Sequence, residues 1–162
     1  GVLRIMQQHT SDAEFDHLSW HDNTVYGLRI DVGDPSRGDW HSDLVFDIDH
    51  IVEWVCGVDR DVKFRVAPAT LTFHDVTDLQ IAVDFGDSNY RTAMNHLSIA
   101  GITRELVPNQ DGYPERTYYR WRMELNLPQG AEITFGAGGF TQTLRAEPVL
   151  LDEQWLAAAD RA

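Results

Sequence analysis

The chain has 162 residues and carries 26 Asp and Glu against 13 Lys and Arg, which gives a formal net charge of −13 at pH 7. Hydrophobic residues make up 43% and charged residues 24%, a balance typical of a globular domain that excludes disorder or a coiled coil throughout. The acidic balance also argues against nucleic acid and anionic membranes as partners, because both would repel the chain.

The first ten residues and the cysteine count predict where the protein resides. Residues 1–10 lack the apolar core of a signal peptide, and no stretch reaches the roughly 18 uncharged apolar residues that a membrane span needs. Cys56 is the single cysteine, which excludes an internal disulfide and fits a reducing compartment. We therefore expect one cytoplasmic domain over residues 1–162, with no membrane segment.

Alternating apolar and polar residues dominate from about residue 24 to 146 and predict β-strands. Strands joined by short turns, without helices between them, favour antiparallel pairing. The apolar face of such a sheet has to be covered, which predicts a β-sandwich or a barrel-like sheet of about eight strands. In chain order, the predicted strands are 25–32, 43–56, 63–74, 79–85, 97–106, 117–126, 133–135 and 140–144.

The alternation of apolar and polar residues ends before the last segment, whose composition predicts a C-terminal α-helix over about 152–160. Asp152 is a suitable N-cap, Glu153 suits the first turn, and the alanines that follow favour helix. Trp155 would dock this helix on the sheet.

Four stretches of the chain resemble a family of uncharacterised bacterial proteins. They are LSWHDN (18–23), DLVFDIDHIVEW (43–54), VAPATLTFHDVTDLQI (66–81) and ITFGAGGFTQTLR (133–145). The resemblance extends over most of the chain, with these stretches in matching order and spacing. The resemblance implies a bacterial protein and carries no activity, cofactor or site residue with it.

Histidines and aspartates at two places raise the possibility of a metal site. His17 and His21 are four residues apart, and Asp22 follows directly, but no HExxH motif is present. Asp47 and Asp49 lie on one face of a predicted strand, about 6–7 Å apart, within reach of a common cation. The alternative is a hydrogen-bonded turn at His21 and a solvated strand face whose aspartates pair with Arg120 and Arg122.

His50 falls on the apolar face of the same strand, between Ile48 and Val52. A single histidine at such a position is more often a buried, hydrogen-bonded core residue than a ligand or a base. Cys56 continues the same phase and is predicted to be a buried small hydrophobe.

The sequence contains no catalytic motif, so the leading hypothesis is a non-enzymatic binding or accessory module with an acidic surface and no cofactor. One form of this hypothesis is a module that masks a basic protein, as immunity-type proteins do. The first alternative is a metal-dependent enzyme or metal-binding protein; the second is a β-barrel whose mouth binds a small apolar ligand. The sequence predicts no oligomeric state. The metal hypothesis uses His21, Asp22, Asp47 and Asp49, and the predicted acidic partner face consists of Asp43, Asp47, Asp49 and Glu53.

Overall fold

The computed structural model describes residues 9–87, 94–108 and 117–161, and these residues form ten β-strands and three short 3-10 helices. Every strand pairing is antiparallel, which confirms the predicted mainly β, antiparallel class. The strands are β1 (His9–Ser11), β2 (Thr24–Val32), β3 (Ser42–Cys56), β4 (Val62–His74), β5 (Thr77–Ala82), β6 (Leu97–Leu106), β7 (Tyr119–Leu127), β8 (Gln129–Ala137), β9 (Gly139–Leu144) and β10 (Val149–Leu151).

The strands form one open sheet in the order β1-β9-β4-β3-β2-β6-β7-β8-β5, and β10 also pairs with β4. Strands β2 to β9 are the eight expected between residues 24 and 146. The sheet does not close into a barrel, because β1 and β5 end it without pairing with each other.

Bending of the open sheet brings distant strands together around an aromatic core. The ring of Phe73 in β4 lies 5.0 Å from that of Trp121 in β7 and 4.7 Å from that of Phe135 in β8. Phe46 and Phe140, from β3 and β9, also contact Phe73 and are buried. The two halves of the sheet therefore cover each other's apolar faces, as the alternation in sequence requires.

Strand β3 follows the predicted phase only in its first half. Ile48 and His50 are buried, as predicted, but the register shifts between Ile51 and Glu53. This β-bulge reverses which residues face inward. Cys56, beyond the bulge, is exposed, so the prediction that Cys56 is buried was wrong; Ile51, before the bulge, is buried on the opposite face from Ile48, against Phe64 and Leu156.

The predicted α-helix over 152–160 is wrong. The chain forms β10 along the edge of β4, and after it only a 3-10 turn at Ala158–Asp160. The N–H of Leu156 donates to Asp49 instead of to a carbonyl one helical turn earlier, and its side chain is buried against Ile51 and Phe64. Tertiary contacts therefore override the helix propensity of the alanines. No helix of the described residues is long and apolar enough to cross a membrane.

Candidate functional site

The structure brings Asp22, Asp49 and His50 into one region, between the start of β2, the middle of β3 and residues 152–161. His17 lies elsewhere and is exposed, at the end of the 3-10 helix Asp12–His17. Asp47 points outward on β3, where its carboxylate pairs with Arg145. The predicted polar cluster is thus only partly assembled.

His50 is a core residue, as its position in the alternation predicts, and it is paired with a buried asparagine. The Asn23 amide donates from Nδ2 to His50 Nδ1 (2.7 Å), and Asn23 Oδ1 accepts the backbone N–H of Ile51 (3.1 Å). Burial lowers the pKa of His50 from 6.5 to about 4. The imidazole is therefore neutral at pH 7 and serves as a hydrogen-bond acceptor in the core.

Asp49 is completely buried, so the prediction that it lies on a solvated face was wrong. The segment 152–161 covers it: Oδ2 accepts the N–H of Leu156 (2.8 Å), and Oδ1 accepts Nε of Arg161 (3.3 Å). The Arg161 guanidinium also lies over the Tyr26 ring, 3.2 Å from its centroid. Burial, followed by the negative charge of Asp49, raises the pKa of Tyr26 to about 12. We call Asp49, Tyr26, Leu156 and Arg161 the C-terminal latch.

The predicted acidic partner face has a basic side chain beside each of its carboxylates. The predicted partners Arg120 and Arg122 were wrong: both lie on β7, and β2 and β6 separate that strand from β3. The observed neighbours of the four carboxylates are His74 for Asp43 (3.5 Å), Arg145 for Asp47 (2.6 Å), Arg161 for Asp49 (3.3 Å) and Arg65 for Glu53 (3.0 Å).

The residues of the metal hypothesis have other partners in the structure. His21 lies 3.5 Å from Asp22, but the Asp22 carboxylate accepts hydrogen bonds from Asn126 (2.7 Å) and Gln154 (3.0 Å). Among the residues that the structure describes, no group of three or more His, Cys, Asp or Glu side chains is arranged to hold a metal ion. The described geometry gives the metal hypothesis no support.

A cleft that the sequence analysis did not identify lies between the β2–β3 loop and the β4–β5 loop. Its volume is about 430 Å³. Two hydrogen bonds join its walls, from the N–H of Val76 to the carbonyl of Ser42 (2.7 Å) and from Ser42 Oγ to the carbonyl of Val76 (2.9 Å). Trp40 stands at this cleft and is 81% exposed. We call the lining residues Asp39, Trp40, His41, Asp75 and Val76 the Trp40 cleft.

The β2–β3 loop that carries Trp40 is held by its own hydrogen bonds. Asp34 accepts the N–H of Ser36 on its side chain (3.0 Å) and those of Arg37 and Asp39 on its carbonyl. Gly38 has a φ of +80°, a left-handed conformation that glycine adopts without strain. The loop therefore presents Trp40 from a defined turn.

Carboxylates dominate the electrostatics of the Trp40 cleft. A hydrogen bond to His41 lowers the pKa of Asp39, and the same bond raises the pKa of His41. The negative charges of Asp43 and Asp75 raise the pKa of His41 further, which places three carboxylates within electrostatic range of one ring. Such a setting favours a positively charged group next to an exposed aromatic ring.

The sequence carried one signal for this cleft. GDPSRGD (33–39) is recognisable as a turn, and the residue after it is a tryptophan. Trp40 lies between this turn and the first residue of the predicted strand 43–56, so the alternation does not assign it to the core, and it is a candidate for an exposed residue. The second wall, at Asp75 and Val76, is 35 residues away and has no such signal.

The chain matches no protein-family model, and no curated protein or solved structure is significantly similar to it. The resemblance to uncharacterised bacterial proteins stays a prediction.

Proposed function

We propose that the protein is a non-enzymatic binding module that receives an Arg or Lys side chain of a basic protein in the Trp40 cleft. The observation that carries this proposal is the 81% exposure of Trp40 beside Asp39 and Asp75. Tryptophan is among the residues that contribute most to binding energy at protein interfaces.

The cleft combines the two features that recognise a cation. A tryptophan face attracts a guanidinium or ammonium group through its quadrupole, by about 2 kcal/mol where the pair is desolvated. The carboxylates Asp39 and Asp75 supply charge-assisted hydrogen-bond acceptors at the same place. The net charge of −13 would also steer a basic partner toward the molecule.

The two alternative functions have less support in the described part of the chain. The candidate metal ligands His21, Asp22, Asp47 and Asp49 do not converge, as described above. The interior in which a barrel would hold an apolar ligand is filled by packed rings, including those of Phe73 and Trp121. We therefore assign the proposed binding function to the Trp40 cleft.

A titration with a short cationic peptide tests the proposal. Acetylated, amidated Gly-Arg-Arg-Gly should shift the NMR signals of the Trp40 indole and of the Asp39–Ser42 backbone, and the neutral peptide Gly-Gln-Gln-Gly should not. We expect Trp40→Ala to weaken binding about tenfold, because the cation–π contact is lost.

Two matched variants separate the cleft from the general negative field of the protein. Trp54→Ala removes another exposed tryptophan, and Asp59→Asn removes one negative charge at the opposite end of β3. Both should bind the peptide like the wild type, whereas Asp39→Asn should bind more weakly. Equal weakening by Asp39→Asn and Asp59→Asn would show that only the net charge matters, and the proposed site would be abandoned.

A further inference from the structure

Among the described residues, most of one edge of strand β2 has no partner strand, and the apolar side chains along it are exposed. The strand pairs with β3 along its whole length, but its pairing with β6 within the described residues covers only Thr24 and Val25. Leu28, Ile30 and Val32 are 37%, 52% and 69% exposed. An edge strand of this kind is a template for pairing with another chain.

We propose that β2 pairs with β2 of a second copy of this chain, antiparallel, with Ile30 opposite Ile30. The two open sheets then join into one continuous sheet across a two-fold axis. Leu28 of each copy stands opposite Val32 of the other, so three apolar pairs form on one face. The occupant of the edge is thus the same strand of a second molecule.

Charge complementarity selects this partner and this register. On the other face of β2, Arg29 and Asp31 are exposed, and in this register each Arg29 stands opposite the Asp31 of the second copy. Within one chain Arg29 already pairs with Asp31 (2.8 Å). In the dimer the two intrachain pairs lie side by side, and each arginine faces the aspartate of the other copy. Opposite-charge pairs across strands are stabilising, whereas like charges directly opposite are destabilising.

Neighbouring registers are less favourable for physical reasons. A shift that puts Arg29 opposite Arg29 sets two cations against each other, and a shift that puts Asp31 opposite Asp31 does the same with two anions. A shift by one residue places the apolar face of one copy on the charged side of the other. The sequence of β2 is therefore self-complementary in one register.

Sedimentation over a range of protein concentrations tests the dimer. We expect a concentration-dependent dimer for the wild type and a monomer for Ile30→Lys, which sets two lysines opposite each other at the axis. Ile81→Lys is the matched control, because Ile81 is 47% exposed and lies on β5, the strand at one end of the sheet. A monomeric wild type, or a dimer lost only with Ile81→Lys, would overturn the proposal.

Cross-linking tests the register directly. In a background in which the exposed Cys56 is replaced by Ser, Ile30→Cys should form a disulfide-linked dimer, since directly opposite Cα atoms lie about 4.5–5.5 Å apart. Arg29→Cys should not, because the diagonal distance of about 7–8 Å is too long for a disulfide. Faster cross-linking through position 29 would rule out the Ile30 register.

Charge exchange gives an independent test of the partner. Asp31→Arg places four arginines on the joined strands and should weaken dimerisation about tenfold. Adding Arg29→Asp to the same chain restores the opposite-charge pairs and should restore the dimer. Failure of this rescue, with both variants folded, would show that the two charges do not meet across the interface.

Discussion

Replacing Arg161 by Gln is expected to lower the free energy of unfolding by about 3 kcal/mol, because it leaves the Asp49 carboxylate buried without its counter-ion. Asp49 is fully buried, and the Arg161 side chain is 19% exposed. The N–H of Leu156 remains as a partner of the carboxylate, but one backbone donor does not neutralise its charge. The loss lies at the lower end of the range for broken buried pairs, since Arg161 is partly solvated.

Arg145→Gln is the matched control for this substitution. It breaks the pair with Asp47, which lies two residues before Asp49 on β3, but both side chains of this pair are about a third or more exposed. Exposed pairs contribute less than about 1 kcal/mol. Urea denaturation of the two variants measures the difference. Equal losses for Arg145→Gln and Arg161→Gln would contradict the C-terminal latch.

The parts of the fold that depend on local sequence were predictable. In β7, Trp121, Met123 and Leu125 are buried and the residues between them are exposed, as alternation over 117–126 predicts. In such stretches the side-chain period alone identifies the inner face.

Which strands lie side by side was not predictable in the same way. Alternation identifies a strand but not its neighbours. Arg120 and Arg122 on β7 were therefore as plausible as partners of Asp47 as the arginines of any other strand. The actual partners of Asp47 and Asp49 are 98 and 112 residues away. No local pattern marks Arg145 or Arg161 as their counter-ions, and a buried Asp49 was therefore mistaken for an exposed one.

The structure of the C-terminal segment was also not predictable from its local sequence. Its alanines and Asp152 are consistent with a helix, and the sequence contains no local signal against one. The free edge of β4 beside Phe64 and Val66 pairs with β10, and Asp49 takes the Leu156 N–H. Both features belong to distant parts of the chain, so propensity alone gave the wrong structure.

The second large effect that we expect is a loss of stability on acidification that depends on His50. The folded state keeps His50 neutral down to its pKa of about 4, whereas the unfolded chain protonates it below the ordinary value of 6.5. Between these values the unfolded state binds more protons, so the free energy of unfolding falls as the pH falls. At pH 4.5 the contribution of this one group is about 2 to 3 kcal/mol.

Replacing His50 by Gln isolates this contribution from that of the acidic residues. Glutamine still provides an oxygen acceptor for the Nδ2 group of Asn23, but it has no proton to gain in this range. The stability of His50→Gln, measured by urea denaturation between pH 7 and pH 4.5, should therefore fall by about 2 to 3 kcal/mol less than that of the wild type. His17→Gln, at an exposed position, should follow the wild type. Parallel curves for the wild type and His50→Gln would mean that His50 titrates alike in both states, which is incompatible with its burial beside Asn23.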